Sequence, residues 1–481
     1  MTADDGALPP SSNGKVHSEN EAEKNAFDGL EEDLETIEEN HEMKVAQASD
    51  VTIVVDDEDE NERLRDTGTE EEGMPGSRDE NVDDELLKEW PSVMADGFGP
   101  YLQRSLKEIF LGSKLNILLL FIPLAFASRF ISWTSNEKHR EAATFVFSML
   151  ALCPLAERIS FVTEDLAKYT NDTIGGLMNA SMGNVPELIM SGVALGQDKL
   201  RVVQLSLLGS ILSNLLLVLG CAFALGGTRL KTQNYNKSAA TTNSAILMLM
   251  VFALLMPATL SATNTETSEN DIIYLSRMVS ITLLCVYGGL IYYQLKTHTH
   301  LFEGGEEEGD EPPILGIGGS IFWMAVCALL IATLSEFTIS AIESTAVTLG
   351  ISQVFIAAIL LPIVGNAAEH AAAIIFAIRN RMEISLGIAV GSSAQISMFV
   401  IPALVLIAWP MGHDLSLDFH IFETALMAMT IIVVGFVIQH GESDWLKGLV
   451  LLSAYLIAAM SFWFHSDPEL DVQSGERLLP F

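Results

Sequence analysis

Two stretches of this chain carry the same short polar motif inside strongly apolar sequence: MGNVPELIM at residues 182–190 and LLPIVGNAAEHAAAIIFAI at residues 360–378. Both contain Gly-Asn-x-x-Glu, which places Glu187 in the first stretch and Glu369 in the second. Neither stretch contains a lysine or an arginine. An acidic side chain at the centre of a bilayer costs about 2.5–3.5 kcal/mol on insertion scales. We therefore expect a partner from elsewhere, or a bound ion, to offset each glutamate.

Apolar runs recur from about residue 115 onward, separated by short polar turns. Their usual length of roughly 18–25 residues matches a hydrocarbon core about 30 Å thick. The runs are 115–131, 141–161, 174–195, 201–225, 242–260, 274–294, 316–345 (read as one long helix), 353–378, 384–409 and 418–463 (two helices divided at QHGESD). The sequence predicts an all-α polytopic membrane protein with eleven transmembrane helices.

The polar segments differ sharply in charge from the apolar runs. The formal net charge is −36, and residues 1–100 hold 31 acidic and 7 basic residues, so 31 − 7 = 24 negative charges lie there. Such a segment buries too little apolar surface to fold alone, so we expect a disordered, acidic cytosolic tail over residues 1–105. An acidic cytosolic loop is predicted at 295–315 and a short C-terminal tail at 464–481. The four cysteines all fall inside apolar runs and are interpreted as packing residues.

Lysine and arginine favour the cytosolic side of a membrane. With the N-terminus in the cytosol, the predicted cytosolic loops carry eight lysine and arginine residues, whereas 261–273 and 410–417 on the other side carry none. Lys199 and Arg201 are the main exceptions. Within the spans, Arg158 beside Glu157 is the one basic residue that we expect. The charge pattern favours a cytosolic N-terminus.

An internal repeat relates the two halves of the chain at an offset of 182 residues. The alignment pairs Glu187 with Glu369 inside the motif. Outside the motif it pairs Gly209-Ser210 with Gly391-Ser392 and, with three residues of loop difference upstream, Glu157 with Glu336 and Glu164 with Glu343. The repeat units are 141–294 and 316–463, each with five helices, after an extra first helix at 106–135. Because five is odd, the two units enter the membrane in opposite orientations. Inverted repeats are typical of secondary transporters, whose site lies near the bilayer midplane.

The chemistry of the two motifs favours a cation site. Carboxylate, amide, hydroxyl and carbonyl oxygens form a hard set of ligands suited to a divalent ion such as calcium, with Glu187 and Glu369 as the metal ligands. Gly183 and Gly365 allow each helix to break and expose carbonyl groups, and Pro186 removes one more backbone hydrogen bond. Removal from water favours a protonated carboxylate, whereas a bound cation favours the ionised form. Alternating occupancy by protons and cations is the physical basis of exchange.

Further polar residues are auxiliary candidates, each with a structural alternative. Glu157 and Glu336 are candidates for ion access or proton relay, and Glu164 and Glu343 either share that role or lie at helix ends in water. The secondary ligands, which are equally suited to holding helices together, are Ser210, Ser213, Ser392 and Gln395. His370 is either a pH-sensitive neighbour of Glu369 or a packing residue.

With these residues identified, GNVPELI at 183–189 and GNAAEH at 365–370 resemble the two alpha-repeat motifs of the cation/proton exchangers, within the calcium/cation antiporter superfamily. The resemblance covers nearly all of 105–465. It implies calcium/proton antiport out of the cytosol into a vacuole or similar acidic store. It also implies that Glu187 and Glu369 carry the ion with Asn184 and Asn366 flanking it, and that the N-terminal tail inhibits transport.

The leading hypothesis is a proton-coupled calcium antiporter with manganese as a second substrate. A sodium-coupled calcium exchanger and, from a different class, a passive cation channel stay open. An enzyme is not expected, because a Ser-His-Asp set, a His-Glu-x-x-His helix and paired membrane aspartates are all missing from the sequence. The expected partners are calcium ions, protons and the lipid bilayer, with a homo-oligomer left open. We expect neither a cofactor nor a nucleic-acid partner.

Overall fold

The computed structural model describes residues 97–170, 174–175, 177–178, 182–263, 268–299 and 312–465. Three predicted segments lie outside the described residues: the tail before residue 97, residues 300–311 of the acidic loop and the C-terminal residues 466–481. What was predicted for them stays a prediction. The tail was predicted to extend to residue 105, but a helix begins at Phe98.

Helices make up almost all of the described chain. Those of the first half are α1 (Phe98–Leu111), α2 (Phe121–Phe130, preceded by the 3₁₀ segment Lys114–Leu120), α3 (Glu137–Ala167), α4 (Val185–Gly196), α5 (Leu200–Arg229, with a π-helical turn at Ser213–Val218), α6 (Lys237–Ala262) and α7 (Glu269–Tyr292). Those of the second half are α8 (Gly316–Leu349), α9 (Gln353–Gly365), α10 (Ala367–Ile378), α11 (Met382–Met411), α12 (Ile421–Ile438) and α13 (Trp445–Phe464).

Many of these helices are suited to a bilayer. Within the described residues, eight are long and apolar enough to cross a membrane. Two further pairs qualify only together, and each is bent: by 88° between α1 and Lys114–Phe130, and by 57° between α9 and α10. The helix α4 is apolar but shorter. The chain is thus an integral membrane protein built of helices, while the count of eleven crossings and the inverted repeat stay predictions.

Two predicted spans have different outcomes. The prediction that 316–345 forms one helix is confirmed, because α8 continues to Leu349 and ends at Gly350, whose φ of 67° is left-handed. The segment 106–135, predicted as one first helix, is instead divided. Its first part ends at Leu111, and the Ser113 hydroxyl accepts a hydrogen bond from the Leu115 amide to begin a new helical segment after the bend.

The two halves of the chain pack against each other along several elements. The long helices α3 and α8 lie side by side, and α5 packs on α9. A two-stranded antiparallel ribbon joins β1 (Gln233–Asn234), before α6, to β2 (Glu442–Ser443), before α13. These contacts bring the two predicted repeat units into one helical body, and the large buried apolar cluster draws on both.

A buried ion pair also connects the two halves. It explains why Arg201 departs from the preference of basic residues for cytosolic loops. Arg201, at the start of α5, is 7% exposed, so it is buried in the protein as Arg158 is. Its guanidinium donates to Glu423 of α12 at 2.6 and 3.3 Å. Gln204 Oε1 accepts a further hydrogen bond from Arg201 at 2.6 Å.

Breaking this pair is expected to destabilise the protein strongly. Glu423→Ala leaves a charged guanidinium without its carboxylate in a buried site, which typically costs about 3–5 kcal/mol of unfolding free energy. The midpoint of thermal unfolding in detergent measures the loss. Asp414→Ala is the matched control, because Asp414 pairs with Arg277 at 3.3 Å with its side chain 67% exposed, and such pairs contribute about 0–1 kcal/mol. Equal shifts for the two variants would contradict the prediction.

Candidate cation-binding site

Both helices that carry the repeated glutamates begin at a break in apolar sequence. Asn184 directly precedes α4, and Pro186 lies in the first turn of that helix. Asn366 separates the end of α9 at Gly365 from the start of α10. A proline in the first turn costs no internal helix hydrogen bond. Pro186 therefore begins a helix, which differs from the expectation that it removes a hydrogen bond inside one.

Glu187 and Glu369 occupy equivalent positions, in the first turns of α4 and α10. The hydroxyl of Ser392 contacts both Glu369 and Asn184, which lies three residues before Glu187, so the starts of the two helices converge on one side chain. Glu187 is 3% exposed and Glu369 is half-buried. No lysine or arginine of the described chain forms an ion pair with either glutamate. The positive ends of two helix dipoles favour negative charge at this point.

A hydrogen-bond network links Glu369 to polar side chains of both halves of the chain. Ser392 of α11 lies at its centre, with its hydroxyl oxygen 2.9 Å from Asn184 Oδ1 and 3.2 Å from Glu369 Oε2. The same oxygen accepts a hydrogen bond from Asn214 Nδ2 at 3.2 Å. Asn184 Nδ2 in turn donates to Gln395 Oε1 at 2.7 Å. Side chains from α5, α10, α11 and the break before α4 therefore converge on one polar cluster.

Oxygen atoms in this cluster and in the two repeated motifs are buried without a hydrogen-bond partner among the described residues. They are Asn214 Oδ1 of the cluster, and Glu187 Oε2 and Asn366 Oδ1 of the motifs. Native proteins satisfy the large majority of their buried polar side-chain atoms, so these atoms call for an explanation. Oxygen atoms of carboxylates and amides are the ligands that hard cations prefer.

The cluster differs from a resident metal centre. The described residues contain no group of three or more His, Cys, Asp or Glu side chains placed to hold a metal ion. In the described chain, amide and hydroxyl oxygens accompany the carboxylates of Glu187 and Glu369, and hard cations accept all of these oxygen types as ligands.

Known proteins resemble this chain over most of its length. The model of the family described as sodium/calcium exchanger protein matches residues 140–296 and 319–464. Vacuolar cation/proton exchanger 3 of Oryza sativa subsp. japonica is 46% identical over 378 residues, which cover 76% of this chain and 89% of that protein. The chain belongs to the cation/proton exchanger family. Vacuolar cation/proton exchanger 2 of Arabidopsis thaliana is also similar to this exchanger, at 43% identity over 379 residues, 76% of this chain and 85% of that protein.

A solved structure supports the same assignment. The crystal structure of the selenium-substituted Ca2+/H+ antiporter protein YfkE is 30% identical to the exchanger and has a TM-score of 0.60. The match covers 73% of the exchanger and 100% of the other chain. The family consists of transporters, which agrees with the expectation that this chain is not an enzyme.

The outer carboxylates of the exchanger lie apart from this cluster. Glu157 forms an ion pair with its neighbour Arg158 at 2.9 Å. Glu343 forms an ion pair with Lys199, whereas Glu336 and Glu164 are exposed. Glu157 and Glu343 thus face basic side chains, and Glu336 and Glu164 face the surface. A role for them along an ion path stays a prediction.

Some of the other auxiliary candidates lie in the polar cluster and others have different contacts. Ser392 and Gln395 are inside the cluster. Ser213 donates instead to the Ser210 carbonyl at 3.1 Å, and both serines are buried in α5. The ring Nε2 of His370 is buried and has no hydrogen-bond partner within the described chain.

Asn214 is the one member of the cluster that sequence analysis did not identify. It lies in the π-helical turn of α5 and is 1% exposed. The repeat offset places Asn214 opposite Ile396, so the comparison of the two halves gives no signal for it. The available signal was its amide, since Asn214 is the one asparagine inside the apolar run 201–225.

Proposed function

We propose that the protein is a secondary active antiporter that exchanges cytosolic calcium for lumenal protons at Glu187 and Glu369, with manganese as a second substrate. The observation that carries the proposal is the pair of repeated glutamates at equivalent helix starts, neither with a basic partner in the described chain, together with buried carboxylate and amide oxygens that have no hydrogen-bond partner there. Two carboxylates in a bilayer need compensating positive charge. A divalent cation or protons supply that charge.

Exchange follows from competition for the same atoms. A carboxylate must lose its proton before it can bind a metal ion, so metal binding releases protons. High proton concentration on one side of the membrane therefore displaces the cation there. A proton gradient then drives the cation in the opposite direction through one site.

Alternating access is supported by the contacts between the two halves. The turn before α6 pairs with the turn before α13, so both lie at the same end of the helical body. These turns follow the third helix of the first predicted unit and the fourth helix of the second. The first turn follows an odd number of crossings within its unit, and the second follows an even number. The two turns can lie on the same side of a membrane only if the units enter it in opposite orientations. This is the inverted arrangement that lets a transporter rock about a central site.

The proposed location is a vacuolar or other acidic endomembrane with the N-terminus in the cytosol. The similar proteins of Oryza sativa and Arabidopsis thaliana are named vacuolar exchangers, and the distribution of lysine and arginine supports the orientation. An acidic lumen supplies the protons that the exchange needs.

Transport in sealed liposomes tests the proposal. The purified protein is reconstituted, and calcium uptake into an acidic lumen is followed in sodium-free buffer with and without a protonophore. We expect uptake to stop when the pH gradient is dissipated. Uptake that ignores protons but follows a sodium gradient would indicate the sodium-coupled alternative. Flux that needs neither gradient would contradict exchange and indicate a channel.

The two neighbouring serines of α11 provide a sharp test of the site. Ser392→Ala removes the hydroxyl between Asn184 and Glu369, and we expect the apparent calcium affinity to fall about 10- to 100-fold, the usual effect of losing an outer-shell partner. Ser393→Ala is the control, because Ser393 is equally buried but donates only to the Ala389 carbonyl of its own helix, at 2.8 Å. The concentration dependence of uptake gives both affinities. Equal affinities in the two variants would exclude Ser392 from the site.

A further inference from the structure

We propose that α1 is an interfacial helix that lies flat on the bilayer and binds anionic lipid. The bend of 88° after α1 is the first observation. The next segment, Lys114–Phe130, is apolar. It is counted as a candidate membrane span together with α1 because of its shorter length. If that segment enters the membrane along its normal, a bend near a right angle places α1 parallel to the membrane surface.

One face of α1 is fixed on the protein. Tyr101, Ser105 and Ile109 recur every four residues and are buried. The Tyr101 hydroxyl donates to the Leu315 carbonyl at 2.9 Å, and Trp323 Nε1 donates to the Ser105 hydroxyl oxygen at 2.9 Å. These contacts hold α1 against the beginning of α8, so its direction is set by the packed protein.

A second face of α1 is apolar and exposed. Phe98, Leu102, Leu106 and Phe110 also recur every four residues, with exposed fractions of 66%, 41%, 39% and 48%. Residues spaced four apart lie on one side of a helix. The apolar surface continues past the bend through Ile117 and Leu120, which are 69% and 67% exposed on the membrane segment. This continuity identifies acyl chains as what covers the apolar face.

The remaining face carries basic residues. Arg104 and Lys107 are exposed on α1, and Lys114 is exposed at the bend. Against these three stands one acid, Glu108, so the segment 98–114 has a net charge of 3 − 1 = +2. A helix with a basic face beside an apolar face typically lies in the interface of an anionic membrane.

The acidic chain before α1 is the competing occupant, since its charge is opposite to that of Lys107 and Lys114. Its large apolar residues are interspersed with acidic ones, as in DDELLKEW at 83–90, whereas acyl chains form a continuous apolar phase like the exposed face of α1. Lipid headgroups and acyl chains together satisfy both faces at once. We therefore assign α1 to the membrane surface.

Collision of a spin label with small probes tests this placement in the full chain. Leu106→Cys and Lys107→Cys are labelled one at a time after the four native cysteines have been replaced, and the protein is reconstituted in vesicles of phosphatidylcholine with phosphatidylserine. We expect the label at 106 to meet oxygen, which concentrates in lipid, and the label at 107 to meet a water-soluble nickel chelate. A label at 106 that meets neither probe is covered by protein, and one that meets the chelate is in water. Either result would overturn the proposal.

Hydrogen–deuterium exchange gives a second readout that needs no cysteine replacement. Exchange of the α1 amides is compared in bilayers of phosphatidylcholine alone and with phosphatidylserine. We expect the α1 amides to exchange more slowly when the anionic lipid is present. Lys107→Gln and Lys114→Gln should each reduce this slowing by roughly fivefold, because each removes the attraction of one basic residue to the lipid surface. Lys138→Gln, an exposed lysine beyond the far end of Lys114–Phe130, is the control and should change nothing. Exchange that is indifferent to phosphatidylserine would refute binding of anionic lipid.

Discussion

Glu369→Gln is expected to abolish proton-driven calcium uptake, and Glu187→Gln is expected to do the same. Glutamine keeps the size of the side chain but cannot carry the negative charge that binds a cation or the proton that replaces it. Since loss of an outer-shell partner alone costs 10- to 100-fold in metal affinity, we expect loss of either carboxylate to lower uptake by at least about a hundredfold. Initial rates of calcium uptake in proteoliposomes with an acidic lumen measure the effect.

The same substitution at an exposed carboxylate separates this effect from a general loss of function. Glu383→Gln changes a glutamate on the surface at the start of α11, and we expect it to transport normally. The double variant Glu187→Gln/Glu369→Gln should be no worse than either single variant, because groups that act as a unit are not additive. A Glu369→Gln protein that keeps a large part of its proton-driven uptake would remove this residue from the mechanism.

Gly209→Ala is expected to destabilise the fold severely. A Cβ atom at Gly209 would lie 2.6 Å from Pro362 Cγ and still closer to the backbone carbonyl oxygen of Ala358, which cannot move aside as a flexible side chain can. Gly209 is therefore the point where α5 crosses α9 at close range. Overpacking a core costs about 1–3 kcal/mol and occasionally more, and the backbone contact places this variant at the upper end. The thermal midpoint in detergent and the yield of monodisperse protein measure the loss.

Gly391→Ala is the matched control for Gly209→Ala. The repeat pairs the two glycines, yet a Cβ at Gly391 meets no described atom within 4 Å. Alanine is favoured over glycine inside a helix by roughly 0.5–1 kcal/mol, so Gly391→Ala should be neutral or slightly stabilising. If both variants unfold at the same temperature, the close crossing at Gly209 is not a determinant of stability.

Much of the candidate site could be predicted from sequence because its signals are local. The apolar runs predicted a helical membrane protein, and the repeated Gly-Asn-x-x-Glu motif selected Glu187 and Glu369. The structure joins Glu369 to Asn184, Ser392 and Gln395, which were all candidates, in one hydrogen-bond network. Hydropathy and short motifs report on residues that are close in sequence, and both glutamates occupy equivalent helix starts.

The sequence by itself thus determined the class of fold, the acidic pair and the family resemblance, whereas tertiary structure decided which polar groups meet. Only the packed structure shows that Arg201 forms an ion pair with Glu423, that Lys199 forms an ion pair with Glu343, and that Asn214 joins the cluster. The same is true of Gly209, which is crowded while its repeat partner Gly391 is open. The reason is physical: these partners lie more than a hundred residues apart in sequence, so no local period or spacing records their contact. The repeat predicts symmetric environments, and close packing of two unlike halves makes them different.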